Sequence, residues 1–303
     1  NANGGFGMQP GDDSSLEMTT WAMLGLGKVG KDIKKVKSDN GSTPLSYLKN
    51  NRGDIDHAAI LAKSILALKA TNENPRSLGG VNLVKKLQRK VRDNPTSGGK
   101  VNTSAYVLMA LRAVEVDRSE LVDTERWICN AQNNDGGWGI SSDARSDVDS
   151  TGAALQVVGG KGFKGEAIGY LRAEQTNNGG FGNGFSGTNS QSTALAIQGM
   201  LGANYAVESM DNGGNTAIDY LERHQKDSGF IAYDGSSGKT SSVWVTAQSL
   251  PSMAQKNFYG GTPRDCNDFV PVEDTSGGSS SGSSSGGSSV PSYDVPSSSS
   301  GAS

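Results

Sequence analysis

Residues 127–138, WICNAQNNDGGW, decide the reading of the chain because their pattern returns twice, as YLRAEQTNNGGF at 170–181 and YLERHQKDSGFI at 220–231. Each copy opens with an aromatic and an aliphatic residue. A Gln follows five positions after the aromatic, a Gly four after the Gln, and a bulky apolar residue two after the Gly. The members are Trp127, Ile128, Gln132, Gly136 and Trp138; Tyr170, Leu171, Gln175, Gly179 and Phe181; and Tyr220, Leu221, Gln225, Gly229 and Ile231. A further copy begins part-way through, at Gly4 and Phe6, and weaker ones surround Tyr47, Leu48, Gly53 and Ile55, and Gly99 and Val101. The motif glycines at 4, 53, 99, 136, 179 and 229 are 37 to 50 residues apart, the period of stacked helical pairs.

Working outward, each motif is followed by a segment of Ala, Leu, Val and Met with few charges, such as AKSILALKA, SAYVLMALRA or STALAIQGML. Such segments are predicted to be helices buried on most sides. Each complete motif is preceded by a polar, amphipathic stretch such as GEAIGYLRAEQ or NTAIDYLERHQ. Six buried helices ringed by amphipathic ones predict an all-α fold, an α/α toroid with six inner helices and five outer ones, the first unit lacking its outer helix. The motif glycines fall in the turns between outer and inner helices, where positive φ is expected. The Gln is expected to bond backbone groups at a helix end, and the Trp or Phe to pack between units.

Composition fits this division. The chain has 303 residues, a net charge of -3, 34% hydrophobic residues and 42 glycines. No run reaches the ~18 apolar residues of a membrane span, and near-neutral charge argues against nucleic acid as a partner. Residues 1–100 hold 16 Lys and Arg against 9 Asp and Glu. The cluster from Lys85 to Arg92 is expected to be the solvated face of a helix turning Val84, Leu87 and Val91 inward. Residues 1–256 are assigned to the toroid, 257–274 to a covering segment and 275–303 to a disordered Ser/Gly-rich tether. The segment is expected to cover the vacant outer position of unit one. The tether implies an anchor or domain beyond the C-terminus, and with it a secreted or surface location.

The Gln-x-x-x-Gly-x-Trp spacing of Gln132, Gly136 and Trp138 resembles the QW repeat of squalene and terpene cyclases, and GGFGMQPGDDSSLEMTTWAMLGL near the N-terminus is similar to a loop of protein prenyltransferase β subunits. The resemblance covers roughly residues 1–255 and implies the toroid fold of that superfamily, which also includes bacterial surface proteins. Protein prenyltransferases hold zinc through Asp, Cys and His at the mouth of the toroid. Here Cys129 aligns with Arg172 and Glu222 on the outward face of outer helices, so no metal and no other cofactor is expected. Terpene cyclases of the protonating class use Asp-x-Asp-Asp, and the nearest match is Asp147, Val148, Asp149, Ser150. The resemblance makes Asp149 the candidate acid and Asp147 its partner. The other reading of both carboxylates is helix capping, as for the polar residues before other inner helices.

Loops in units one, four, five and six are longer than in two and three, and a ring makes those four neighbours. The inner-helix N-termini all point to that rim. A ligand pocket is therefore predicted between Asp12–Glu17, Ser141–Asp149, Asn183–Asn189 and Tyr233–Thr240. Its candidate residues are Asp12, Asp13, Glu17, Trp21, Asp56, His57, Tyr233 and Trp244, with Trp21 and Trp244 near the mouth. The expectation is a secreted or surface-tethered module binding a small molecule or protein partner at this rim. The alternatives are a cyclase-like enzyme using Asp149, and a carbohydrate-active barrel pairing Asp149 with Glu17 or Asp56. Cys129 and Cys266 are within reach of one another, since ~12 extended residues span up to ~40 Å. An oxidising location favours a disulfide, whereas a cytosolic protein would keep two thiols.

Overall fold

A computed structural model of the chain describes residues 1–234 and 242–269; most of the sixth long loop and the Ser/Gly-rich 275–303 lie outside the described residues. The inner helices are α1 (Leu16–Lys28), α3 (Ala58–Ala70), α5 (Val101–Ala113), α7 (Val148–Ala154), α9 (Ser190–Gly202) and α11 (Ser242–Met253). The outer helices are α2 (Pro44–Asn50), α4 (Leu83–Asp93), α6 (Val122–Asn130), α8 (Lys161–Glu174) and α10 (Ala217–His224). Each inner helix packs on the next and α11 returns to α1, which closes the ring. The toroid is therefore as the repeats predict.

The two layers follow from their side chains. In α3 every residue from Ile60 to Leu68 is buried, and in α5 every residue from Ser104 to Leu111. Helices with small and aliphatic residues all round can only be covered all round. In α4 burial is confined to Leu83, Val84, Leu87 and Val91, the stripe of a helix with one wet face. Inner helices also approach closely where a side chain is missing: a Cβ on Gly25 would lie 2.3 Å from the Ala247 carbonyl oxygen, and one on Gly152 would lie 2.4 Å from that of Leu195.

The repeat motif acts as a joint between consecutive units. Gly136 and Gly179 adopt φ of +87° and +83°, and a Cβ there would meet the backbone of Glu166 or Thr216, at or beside the next outer helix. Gln132 Nε2 donates to the Gly136 carbonyl at 2.7 Å and to that of Phe163 at 2.9 Å. Gln175 Nε2 donates likewise to Gly179 and Met210. This corrects the expected helix-end role: the Gln binds its own turn to the start of the next unit. Gln225 and Ile231 instead form an isolated antiparallel bridge beside Gly229, which also has positive φ. Trp138 and Phe181 are fully buried, and their backbone N–H groups donate to Thr151 and Thr193 in the following inner helix. Phe6 and Ile231 make the same bond to Thr19 and Thr246.

Short ladders complete the turns. β1 (Trp138–Gly139) pairs antiparallel with β2 (Ser146–Asp147), Trp138 facing Asp147. β3 (Val158–Gly159) follows α7, and β4 (Asp211–Asn212) pairs with β5 (Asn215–Thr216). β6 (Arg264–Asp265) runs parallel to β3. The fourth inner helix stops at Ala154, and Val158 joins this ladder.

The segment 256–269 does not cover the outer position of unit one. It forms a strap across the C-terminal ends of the inner helices. Lys256 Nζ donates to the Lys28 carbonyl, the Phe258 N–H donates to Gln156 Oε1 at 2.9 Å, and the Arg264 N–H donates to the Val157 carbonyl. Cys266 is joined to Cys129, with Cα atoms 5.6 Å apart. Cys129 was expected on an outward face, yet it is 2% exposed because the strap lies over it. The bridge closes a separation of 137 residues. Replacing both cysteines with Ala is expected to lower stability by about 2–4 kcal/mol, read from urea unfolding under non-reducing conditions.

Candidate functional site

Two places on the toroid gather polar and aromatic side chains. The first is the axis. Trp21 Nε1 donates to Glu17 Oε1 at 3.0 Å; the buried Lys63 ammonium pairs with that carboxylate and sits 5.1 Å from the Trp21 ring centre. Below them Trp21, Tyr106 and Phe258 pack on one another with ring centres 5.2–6.2 Å apart. Trp21 was expected near the mouth; it is 3% exposed and forms part of this plug.

Asp147 and Asp149 part company. Asp147 is the N-cap of α7, accepting from the Ser150 N–H at 2.7 Å and the Ser150 hydroxyl at 2.8 Å. Asp149, in the first turn, is not a cap. Its Oδ2 accepts from Gln191 Nε2 of α9 at 3.3 Å, while its buried Oδ1 has no partner. Burial pushes the Asp149 carboxyl up and the negative charge of Asp147 adds to the shift, against the opposing influence of the Ser192, Gln191 and Asn183 side chains. Burial also raises Asp147, against the bonds from Ser150.

The raised Asp149 value makes stability pH-dependent. The folded protein favours the protonated form, so this contribution is complete below the usual carboxylate pKa and is lost as pH rises through the raised value. The urea midpoint of the parent protein is expected to fall more steeply from about pH 4 to pH 7 than that of Asp149→Asn. Parallel slopes would show that Asp149 carries no such shift.

The second place is the rim between units four and five. A groove of about 710 Å³ is lined by residues 133–135, Ile140, 143–147, Tyr170, Glu174 and 183–185. It combines two of the four predicted walls, Ser141–Asp149 and Asn183–Asn189. The lining holds four carboxylates, Asp135, Asp143, Asp147 and Glu174, and one guanidinium, Arg145, and none of these carboxylates forms an ion pair among the described residues. On its lip Phe185 is 87% exposed and Ile140 45%.

The other candidate residues stand elsewhere. Asp12 accepts from the Gln9 N–H within its own turn, and neither it nor the exposed Asp13 lines the groove. Asp56 pairs with Lys86 and Lys90 of α4. With Glu17 held by Lys63 and Trp21, both partners suggested for Asp149 in a carbohydrate-active barrel are already engaged. His57 precedes α3 without a side-chain capping bond. The Tyr233 hydroxyl donates to Ser186 Oγ, and Trp244 is half-buried against the core. Within the predicted Tyr233–Thr240 wall, 235–240 lie outside the described residues. Among those described, no three His, Cys, Asp or Glu side chains gather as a metal site, and no helix is long and apolar enough to cross a membrane. Sequence reasoning missed Tyr170 and Glu174, which lie on an outer helix; the signal available was that Tyr170 occupies the motif position nearest the neighbouring long loop.

The chain belongs to the prenyltransferase alpha-alpha toroid domain family, whose model matches residues 1–158 and 82–258. No curated protein sequence matches it. Similar solved structures include ent-copalyl diphosphate synthase from Streptomyces platensis, 14% identical with a TM-score of 0.50, covering 79% of this chain and 50% of that one. This chain thus spans half the length of that enzyme. Another is Candida albicans protein geranylgeranyltransferase-I complexed with GGPP, 13% identical over 79% of this chain and 83% of that one, with a TM-score of 0.54. A third is the type II terpene cyclase MstE from Scytonema, 13% identical over 83% and 90%, with a TM-score of 0.51. At these identities the likeness is one of fold.

Proposed function

We propose that the chain is a secreted or surface-tethered toroid module that binds a ligand or protein partner in the rim groove between units four and five. The observation that carries this reading is the contrast between the two places: the groove is open and carries unpaired charge and exposed apolar groups, whereas the axis is filled by Trp21, Tyr106 and Phe258. Binding sites are concavities with a few convergent polar groups. The Cys129–Cys266 bridge and the Ser/Gly-rich 275–303 support an extracellular location.

One observation favours a second reading, a cyclase-like enzyme: Asp149 is a buried carboxyl with an unpartnered oxygen near Tyr106. Against it, an acid that protonates an alkene needs its anion stabilised, and here burial, the largest influence on Asp149, does the reverse and outweighs the Ser192, Gln191 and Asn183 side chains that favour the anion. Incubation with squalene and with geranylgeranyl diphosphate separates the readings. No cyclised product is expected from the parent protein; a product that disappears in Asp149→Asn would overturn the binding-module reading. Amide-shift mapping against a panel of peptides, oligosaccharides and metabolites is expected to place any ligand at 133–147 and 183–185. Shifts centred on Glu17, Trp21 and Asp149 would contradict it.

A further inference from the structure

Three repeat tyrosines occupy one structural position, and one of them differs. Tyr47 donates its hydroxyl to the Ser14 carbonyl at 3.0 Å, and Tyr220 to the Thr188 carbonyl at 3.1 Å. Each acceptor directly precedes the N-cap residue of an inner helix, Ser15 or Asn189. The matching residue in unit four is Ser146, which precedes the cap Asp147, and the matching tyrosine is Tyr170. The packing is the same in all three units. A Cβ on Gly5, Gly137 or Gly180 would touch the ring of Tyr47, Tyr170 or Tyr220 together with Ser14, Ser146 or Thr188.

The hydrogen bond is not repeated. In unit four the ladder extends one residue further than the single bridges Phe6–Ser15 and Phe181–Asn189, and takes in Ser146 opposite Gly139. Tyr170 is 8% exposed, lines the groove and forms no hydrogen bond among the described residues. Its hydroxyl is not sealed in the core: it opens on the groove, where an occupant can reach it. Its surroundings are anionic: burial raises the phenol well above its usual value, and Glu174, Asp147, Asp135 and Asp149 push it in the same direction, so it remains a donor.

Resting on the rim-groove reading, we propose that the groove binds an extended segment of a partner protein that presents a Lys or Arg side chain beside an apolar one, the basic group meeting Glu174 and Asp143 and a carbonyl of the segment accepting from the Tyr170 hydroxyl. Charge selects this occupant. Four carboxylates against Arg145 attract a cation, and the exposed Phe185 and Ile140 offer an apolar lip that a bare polyamine would leave uncovered. The chain's own C-terminal residues do not fit, since 270–303 contain no Lys or Arg and carry Glu273, Asp274 and Asp294.

The test is an amide-shift titration of the full chain with two blocked pentapeptides, Gly-Leu-Lys-Leu-Gly and Gly-Leu-Glu-Leu-Gly, and with spermidine. The Lys peptide is expected to shift amides in 133–147 and 183–185, to bind roughly fivefold more weakly to Tyr170→Phe and to Glu174→Gln, and to weaken as salt is raised. Tyr170→Phe keeps the ring in place, and thermal melts verify that both variants fold. Equal response to the two peptides, binding unchanged in both variants, or spermidine binding as tightly as the Lys peptide would overturn the proposal. If an oligosaccharide shifts the same amides while the Lys peptide does not, the peptide proposal falls and the rim-groove reading stands. If every probe leaves the groove unmoved while shifting other sites, both fall.

Discussion

Glu125→Ala is expected to destabilise the protein by about 3–5 kcal/mol, because it strands a buried guanidinium. Glu125 is 1% exposed and Arg112 7% by side chain, and they meet at 2.8 Å. Burial pulls Arg112 below its usual value, and Glu125 is the main group that opposes the shift. Arg112 also donates to the Val157 carbonyl at 2.7 Å, so the pair ties α5 and α6 to the turn after α7. Arg118, half-exposed, reaches Glu125 at 3.4 Å and Asp268 of the strap at 2.8 Å. Urea unfolding should therefore rank three variants. Glu125→Ala loses most, Arg118→Ala loses about 1 kcal/mol or less, and Glu125→Leu combined with Arg112→Met recovers much of the single-variant loss because no charge is left unpaired. A double variant as unstable as Glu125→Ala would mean that packing, not the stranded charge, sets the cost.

The toroid was legible because its determinants are local and repeated. Gly136 with Gln132 and Trp138 marks one turn, and the same spacing at Gly179 and Gly229 turns one local feature into an architecture. Caps were legible for the same reason: Asp147 and Asn189 act within three residues of themselves. The chemistry of Asp149 was not, since it depends on Gln191, 42 positions away, and on burial that the Asp-x-Asp-Ser pattern does not encode. Tyr170 looked like one more motif aromatic, and it differs where the adjacent ladder runs one residue longer, a pairing between residues 139 and 146 that the motif does not encode. The strap was recognised as a cover but set in the wrong place. It has no helical or strand period to orient it, and Phe258, one of three aromatics in Asn257–Val270, does not reveal which opening of the ring it enters.

That aromatic carries the second large effect. Phe258→Ala is expected to cost about 3–5 kcal/mol, because the side chain is fully buried between Trp21 and Tyr106 and a ring of rigid inner helices cannot collapse into the space left. The loss should be local in a way that hydrogen exchange can resolve. Besides its hydrogen bonds and the Arg118–Asp268 pair, the strap has one buried apolar anchor, Phe258 in the axis, and one covalent anchor, Cys266 on Cys129, with β6 between them. Removing Phe258 frees the near end only, so the Arg264 amide, bonded to the Val157 carbonyl, is expected to stay protected while the disulfide is intact. Reducing the bridge in Phe258→Ala should release that amide to fast exchange before the inner helices open. In the parent protein the same reduction should leave it substantially protected, because the buried ring still anchors the strap. If Arg264 exchanges quickly in Phe258→Ala with the disulfide intact, the ring alone seats the strap, and the bridge acts mainly by restricting the unfolded chain.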